Sequence, residues 1–165
     1  MATPLATPQR IWLTGATSGI GEALAKRLLQ DGHRVALTAR RRDALEALAA
    51  PFDNALVVPA DLTDRASVRE AGERIAAVFG GLELALLNAG TCEYLDARHF
   101  DIDLVERVLT TNLHGTLYAV DAALPLLRRA RDAHRRPQLA GILPPVLRHR
   151  LGLRLTRNAD TEGRS

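Results

Sequence analysis

The feature that most constrains the fold of this chain is a glycine-rich turn near its N-terminus, residues 14–21, with the sequence TGATSGIG. An apolar run, residues 11–13, precedes the turn, and an amphipathic run with helical spacing follows it as far as Leu29. This order predicts a turn from a strand into a helix, which is a common setting for phosphate binding.

Each glycine of the turn has its own predicted role. Gly15 lets the chain leave the strand sharply, Gly19 lets backbone N–H groups approach a pyrophosphate, and Gly21 lets the helix pack closely. The N–H groups and the positive dipole end of that helix would then face the phosphates. By itself the spacing G-x-x-x-G-x-G is a weak signal, because such turns also occur without a ligand.

Length and composition limit the class of protein. The chain has 165 residues, 47% of them hydrophobic and 25% charged, as expected for a single globular domain. No apolar run is long enough to cross a membrane and no signal pattern opens the chain, so we predict no membrane partner and a cytoplasmic location. The single cysteine, Cys92, excludes an internal disulfide and a cysteine-rich metal site.

The charge of the chain is basic but unevenly distributed. The formal net charge is +3 and the pI is near 9.7, values that are compatible with a nucleic-acid partner. Much of the excess comes from residues 128–157, and the first 120 residues are nearly balanced. We therefore predict no nucleic-acid partner.

Strands and helices alternate along the first half of the chain. Apolar runs at 34–39, 55–59 and 82–87 predict three further strands. Between them the pattern predicts helices at 19–30, at about 43–50, and from a cap at Thr63 or Asp64 to Val78. This alternation predicts βαβ units in a parallel sheet, whose strands all end on one rim.

The second half is less regular. A broad apolar face predicts one long helix over about 103–130, with Asn112 and His114 in its middle, and 138–143 could be a fifth strand. After Pro144 and Pro145 the pattern dissolves into a basic tail. We therefore expect one dinucleotide-binding domain over 1–143 and a poorly ordered tail over 144–165.

Four motifs follow one another along this pattern: the glycine turn, Asp61-Leu62, Asn88-Ala89-Gly90 and Asn112. In this order and at this spacing they resemble the short-chain dehydrogenase/reductase family over residues 10 to about 140. The resemblance implies an α/β fold: a three-layer, doubly wound parallel sheet of the Rossmann type, incomplete on its C-terminal side. It implies that the glycine turn holds the cofactor pyrophosphate, that Asp61 binds near the adenine, and that residues 88–90 line the cofactor. It also implies that Asn112 is the catalytic asparagine of a water and proton relay; taken alone, a helix kink or a satisfied buried amide is the simpler interpretation. The expected cofactor-binding residues are Thr14, Gly15, Thr17, Ser18, Gly19, Ile20, Gly21, Arg40, Arg41, Asp61, Leu62, Asn88, Ala89 and Gly90.

The end of the second strand bears on the choice of cofactor. A ribose 2′-hydroxyl is bound by a carboxylate at this place, whereas a 2′-phosphate needs positive charge. Ala39 stands where the carboxylate would be, and Arg40, Arg41 and Arg42 follow. We predict NADP(H) in preference to NAD(H); the alternative is a solvated basic start to a helix.

The chain departs from the family at its catalytic residues. The family uses a tyrosine whose pKa is lowered by a lysine four residues later, together with a serine from the fifth strand. Here the tyrosines are Tyr94 and Tyr118, the only lysine is Lys26, and no serine lies between Ser67 and Ser165. We therefore expect a truncated or frameshifted product that is inactive or nearly so as an enzyme.

Three interpretations remain open at this point. The chain could be an oxidoreductase-family member that binds NADP(H) without its proton-transfer residues. It could be a regulatory or nucleotide-binding module that forms a homo-oligomer, or pairs with a full-length relative, through helix 103–130. It could also be a non-functional fragment with an exposed sheet edge that favours aggregation.

Overall fold

The computed structural model of the protein describes residues 7–96, 98–132 and 138–141. Within them strands and helices alternate, as the sequence predicts. The strands are β1 (Arg10–Thr14), β2 (Arg34–Thr38), β3 (Ala55–Val57), β4 (Leu84–Leu87) and β5 (Gln138–Gly141). The helices are α1 (Gly19–Gln30), α2 (Arg42–Ala49), α3 (Arg65–Phe79), α4 (Ile102–Leu109) and α5 (Gly115–Asp132), with a π-turn (Thr110–His114) joining the last two.

The described strands form one parallel sheet in the order β3-β2-β1-β4-β5. The chain winds outward from β1 to β3 and then returns to the other side of β1 with β4. This reversal between β1 and β4 is the topological switch point at which α/β sheets bind ligands. The predicted doubly wound parallel sheet is confirmed.

Two apolar layers cover the two faces of the sheet. Ile11 and Leu13 point to one face and pack with residues of α1 and α2. Trp12 points to the other face, where it packs with residues of α3 and α5. The indole N–H of Trp12 donates to the Thr38 hydroxyl at 2.9 Å, so its buried polar atom is satisfied. The three-layer arrangement therefore follows from the alternation of side chains along β1.

The structure corrects the prediction of one uninterrupted α-helix over 103–130. The α-helical hydrogen bonding stops at Leu109, the π-turn carries the chain through Thr110–His114, and α5 continues from there. A π-turn inserts one residue more than an α-helical turn holds, and such turns are frequent at functional sites. Nothing in the apolar spacing signalled it.

The fourth strand is shorter than predicted. Residues 82 and 83 precede β4, and Glu83 is only 4% exposed. Its carboxylate binds the Arg10 side chain and accepts from the Arg10 backbone N–H at 2.7 Å, which holds the start of β1 beside the start of β4. The interpretation of 82–87 as a purely apolar strand was wrong at this residue.

Helix ends follow their caps. Asp64 accepts a hydrogen bond from the Ala66 N–H at 2.9 Å, so it is the cap of α3 and Thr63 is not.

In the part of the chain that the structure describes, no helix is both long and apolar enough to span a bilayer. The predicted end of the fifth strand at 142–143 and the tail over 144–165 lie outside the described residues.

Candidate functional site

A cleft of about 1650 Å³ opens where β1 and β4 end, at the switch point of the sheet. This is larger than the roughly 300–1,000 Å³ of an ordinary small-molecule pocket, so it suits an extended ligand. Most of the predicted site residues line it: Gly15, Thr17, Ser18, Ile20, Arg40, Arg41, Asp61, Leu62, Asn88, Ala89, Gly90 and Asn112. Thr14, Gly19 and Gly21 belong to the same turn but are not part of this lining.

The glycine turn leaves no room for larger residues at two positions. Gly15 has a φ of +68°, and a Cβ there would lie 2.7 Å from the Cα of Ala89. A Cβ on Gly21 would collide with the carbonyl oxygen of Gly15 and lie 2.5 Å from Nδ2 of Asn88. Gly19 has open space around it but a φ of +54°, which disfavours other residues. Close approach between the ends of β1 and β4 therefore requires Gly15 and Gly21, whereas Gly19 is favoured by its backbone conformation alone.

Hydrogen bonds lock this turn to the end of β4. The Thr14 hydroxyl accepts from the Ala89 N–H at 3.2 Å, and the Asn88 side-chain amide donates to the Gly15 carbonyl at 3.3 Å. On the other side, the Ala16 N–H donates to the Thr38 carbonyl at 3.2 Å, which ties the turn to β2. Thr14 lies outside the cleft lining and Asn88 lies in it, and both fix the path of the turn.

Asp61 follows the end of β3, and its carboxylate is held in a local turn. One carboxylate oxygen accepts from the Thr63 N–H at 2.9 Å and from the Thr63 hydroxyl at 2.8 Å. These two bonds, with a smaller contribution from the positive charge of Arg40, lower the pKa of Asp61 below its ordinary value of 3.8. Asp61 is therefore a fixed negative charge and hydrogen-bond acceptor at the cleft.

The two arginines at the end of β2 are exposed on the rim. Arg40 and Arg41 both line the cleft, whereas Arg42 does not and instead pairs with Glu46 at 3.6 Å. Ala39, also in the lining, offers no carboxylate. This end of the cleft therefore presents positive side chains next to one anchored acid.

Asn112 lies in the π-turn, and its side chain forms hydrogen bonds with the loop that follows β4. Its side-chain oxygen accepts from the Thr91 N–H at 2.7 Å, and its Nδ2 donates to the Thr91 carbonyl at 2.7 Å. The Thr116 hydroxyl donates to the Asn112 backbone carbonyl, also at 2.7 Å. The satisfied amide that was weighed against a catalytic role is thus present, although Asn112 is half-buried rather than buried.

The two tyrosines and the lysine lie away from the cleft lining. Tyr94 is 97% exposed in the loop after β4. Tyr118 lines a separate groove between α3 and α5, and Lys26 pairs with Glu22 on the surface of α1 at 2.7 Å. Among the residues described, no tyrosine or lysine contributes to the cleft lining.

Sequence reasoning missed the threonines of the site. Thr91 is the backbone partner of Asn112, Thr63 is the partner of Asp61, and Thr38 receives the indole of Trp12. An Asx turn was foreseeable at Asp61, since an aspartate two residues before a threonine is a common turn signal. The Thr91 contact joins residues 21 positions apart and had no local signal.

Comparison with known proteins fits this geometry. A family model described as "short chain dehydrogenase" matches residues 9–134. The chain belongs to the short-chain dehydrogenase family. An uncharacterized oxidoreductase of Staphylococcus aureus strain N315 is 35% identical over 124 residues, which are 74% of this chain and 54% of that protein. A similar oxidoreductase of Staphylococcus haemolyticus is 32% identical over the same length. The chain thus spans about half the length of these curated relatives.

Several solved structures superpose on the chain. A 3-ketoacyl-(acyl-carrier-protein) reductase from Brucella melitensis, complexed with NADH, has a TM-score of 0.76 and 26% identity. The superposition covers 81% of this chain and 55% of the reductase. The Pseudomonas aeruginosa RhlG/NADP active-site complex has a TM-score of 0.73 and 28% identity, with 83% of this chain covering 54% of it. An NADH-dependent reductase A1-R′ complexed with NAD has a TM-score of 0.70 and 25% identity, with 82% of this chain covering 59% of it.

Proposed function

We propose that the cleft binds a nicotinamide dinucleotide, with its pyrophosphate at the glycine turn. The observation that carries this is the packing at Gly21, where a Cβ would strike the Gly15 carbonyl and bring Asn88 too close. A turn held this tightly brings the backbone of α1 to the mouth of the cleft. The side chain of Ser18 makes no capping hydrogen bond to α1, so it leaves the first-turn N–H groups to a phosphate.

The residues present fit such a ligand along the whole cleft. The N-terminus of α1 suits the negative charge of a pyrophosphate, and Asp61 with Leu62 lies at the proposed adenine end. Asn88, Ala89 and Gly90 line the proposed nicotinamide end. Solved structures similar to this chain contain NADH, NADP and NAD, which supports this class of ligand. When bound, the nicotinamide supplies or accepts a hydride.

We further propose that NADP(H) is preferred over NAD(H). Arg40 and Arg41 place two guanidinium groups on the rim where the ribose of the adenosine would lie, and Ala39 provides no acceptor for a 2′-hydroxyl. Arginine forms paired, charge-assisted bonds to phosphate, which a 2′-phosphate could accept.

Cofactor binding and catalysis separate in this chain. Reduction of a carbonyl needs a proton donor beside the substrate as well as a hydride. Tyr94 and Tyr118 lie outside the described cleft lining, and Lys26 is engaged on α1. We propose that Asn112 occupies the place of the family's relay asparagine, but that this chain by itself transfers hydride slowly or not at all.

The competing function is a module that binds nucleotide without catalysis and associates through the helical run of α4 and α5, with a second copy or with a full-length relative. The exposed apolar side chains on α4 and α5 favour association. The boundary near residue 143, the frameshift and the cytoplasmic location remain proposals. Sequencing the gene around codons 138–145 tests the frameshift, and cell fractionation tests the location.

A thermal-shift titration with NADP(H) and NAD(H) tests the binding site. A formed site raises the unfolding temperature with increasing ligand. Substitution Arg40→Ala should weaken NADP(H) binding roughly 10- to 100-fold and leave NAD(H) nearly unchanged. The matched control is Arg42→Ala, which removes a neighbouring exposed guanidinium that does not line the cleft.

Three results would contradict parts of this proposal. No shift with any nicotinamide cofactor would remove the binding function and favour a non-functional fragment. Equal loss of NADP(H) and NAD(H) binding in the Arg40 variant would remove the cofactor preference. Oxidation of NADPH above background with a panel of ketones would overturn the separation of binding from catalysis.

A further inference from the structure

The single tryptophan of the chain lies in the middle of the sheet. Trp12 occupies the centre of β1 and is fully buried. A buried indole brings a polar N–H into an apolar layer, where that group needs an acceptor. The acceptor is the hydroxyl of Thr38, at 2.9 Å, which is fully buried as well. Both partners of this hydrogen bond are therefore shielded from water.

The indole reaches along β2 towards the cleft. Trp12 pairs in register with Ala36, so Thr38 lies two residues further along β2 and on the same face of the sheet. Thr38 is the last residue of β2 and the last buried residue before the chain becomes exposed at Arg40. Trp12 thus holds the cleft end of β2, although it does not itself line the cleft.

Backbone hydrogen bonds join the same point to both of its neighbours. The Thr38 carbonyl accepts from the Ala16 N–H at 3.2 Å, and the Ala39 carbonyl accepts from the Ala60 N–H at 3.1 Å. Ala16 belongs to the glycine turn, and Ala60 directly precedes Asp61. The end of β2 therefore lies between the glycine turn and Asp61, with one backbone bond to each side.

Arg40 depends on the anchor at Thr38 more than the glycine turn does. Only residues 39–41 separate Thr38 from α2. Arg40 is exposed in the middle of this link, so the buried residue before it sets the path of its backbone. The glycine turn, by contrast, is also held from the β4 side by Thr14 and Asn88. Loss of the anchor should therefore displace Arg40 more than the glycine turn.

We propose that Trp12 is a positioning residue for the cofactor preference of the cleft. By binding the Thr38 hydroxyl it fixes the end of β2, and with it the place of the Arg40 guanidinium beside the 2′-phosphate of the adenosine ribose. This rests on the NADP(H) preference proposed above and extends it to a residue that touches no ligand. Because NAD(H) lacks the 2′-phosphate, loss of the contact should weaken NADP(H) binding more than NAD(H) binding.

The measurement is the dissociation constant for NADH divided by that for NADPH, from fluorescence titrations of the whole chain. Trp12→Phe keeps an aromatic ring in β1 but removes the N–H, and it should lower this ratio roughly three- to tenfold. Thr38→Val keeps the branched side chain but removes the acceptor, and it should lower the ratio by a similar factor. Thr38→Ser keeps a hydroxyl, so it should retain the wild-type ratio.

A double variant distinguishes one shared contact from two independent defects. If Trp12 acts through Thr38, adding Trp12→Phe to Thr38→Val should change the ratio no further. The matched control is Val35→Ala, which removes buried methyl groups near the start of β2, away from the cleft lining. It should lower the unfolding temperature and leave the ratio unchanged.

Four results would overturn the positioning role and leave cofactor binding intact. They are an unchanged ratio in Trp12→Phe or Thr38→Val, additive losses in the double variant, an equal loss in Thr38→Ser, and an equal loss in the Val35→Ala control. If Trp12→Phe does not fold, the comparison of Thr38→Val with Thr38→Ser decides, because both keep the indole. A wild-type protein that binds neither cofactor refutes the binding function itself, and the positioning role with it.

Discussion

The Asn112 side chain binds both backbone polar groups of Thr91. Its oxygen accepts from the Thr91 N–H, and its nitrogen donates to the Thr91 carbonyl, each at 2.7 Å. This pair of hydrogen bonds fixes which atom of the Asn112 side-chain amide is oxygen and which is nitrogen. It joins the π-turn to the loop that leaves β4, so a residue in the helical run sets the shape of the cleft wall. Thr91 itself lines the cleft.

Substitution Asn112→Ala should therefore affect both stability and cofactor binding. Loss of the two hydrogen bonds should lower the free energy of unfolding by about 1–3 kcal/mol, measured by urea denaturation. Because the Thr91 loop loses its anchor, NADP(H) affinity should fall roughly tenfold in a fluorescence titration. The matched control is Asn54→Ala, which removes an amide that donates to the Leu29 and His33 carbonyls away from the cleft and should leave the affinity unchanged. Wild-type affinity in Asn112→Ala would show that the contact does not shape the site.

Substitution Gly21→Ala should be far more harmful than Gly32→Ala. The added methyl at 21 meets the Gly15 carbonyl, and neither backbone can move without separating β1 from α1. Gly32 has a φ of +83° but open space around it, so alanine there costs only about 1 kcal/mol of backbone strain. Thermal unfolding of the two variants compares these costs directly. Equal losses of stability would mean that the turn relaxes easily.

Stability should fall below pH 3.8 partly through Asp61. Its pKa in the folded protein is lowered from 3.8 by the two Thr63 hydrogen bonds, so the carboxylate binds protons more readily when unfolded. The resulting stabilisation is present above 3.8 and is lost as the pH falls through the lower folded pKa. Asp61→Asn should flatten the dependence of the unfolding free energy on pH in this window. Parallel curves for the two proteins would contradict this.

Substitution Glu83→Gln should destabilise the sheet at the end opposite the cleft. The Glu83 side chain is 4% exposed and its Arg10 partner 23% exposed, so the loss leaves a partly buried guanidinium without its charge partner. We expect a loss of about 2–4 kcal/mol in the free energy of unfolding. The control Glu73→Gln breaks an exposed pair with Arg69 on α3 and should have little effect. A similarly small effect at Glu83 would show that the pair adds nothing to the β1–β4 contact.

Much of the fold was predictable because it rests on local periodicity. Helix α1 has the predicted bounds of 19–30, and β2 and α2 differ from prediction by one residue at their ends. The convergence of the strand ends on one rim followed from the parallel sheet. Most of the predicted site residues line one cleft, and Thr14, Gly19 and Gly21 belong to the glycine turn without lining it.

Other features depend on residues far apart in sequence and were not predictable in this way. Glu83 was included in a run interpreted as purely apolar, and its partner, Arg10, lies 73 residues away. The bond from Asn112 to Thr91 spans 21 residues and coincides with a turn that apolar spacing does not encode. Both contacts join residues that come within hydrogen-bond distance only once the sheet has formed.

The sequence by itself determined the glycine turn, the alternation of strands and helices, and the side chains available at each strand end. Short-range sterics and the period of apolar residues are sufficient for these. Three features were decided only by the tertiary structure. The Gly15 carbonyl leaves no room for a side chain at Gly21, Asn112 forms hydrogen bonds with Thr91, and a π-turn interrupts the long helix. Those outcomes depend on which backbones come within contact distance, and packing of the whole sheet sets that distance.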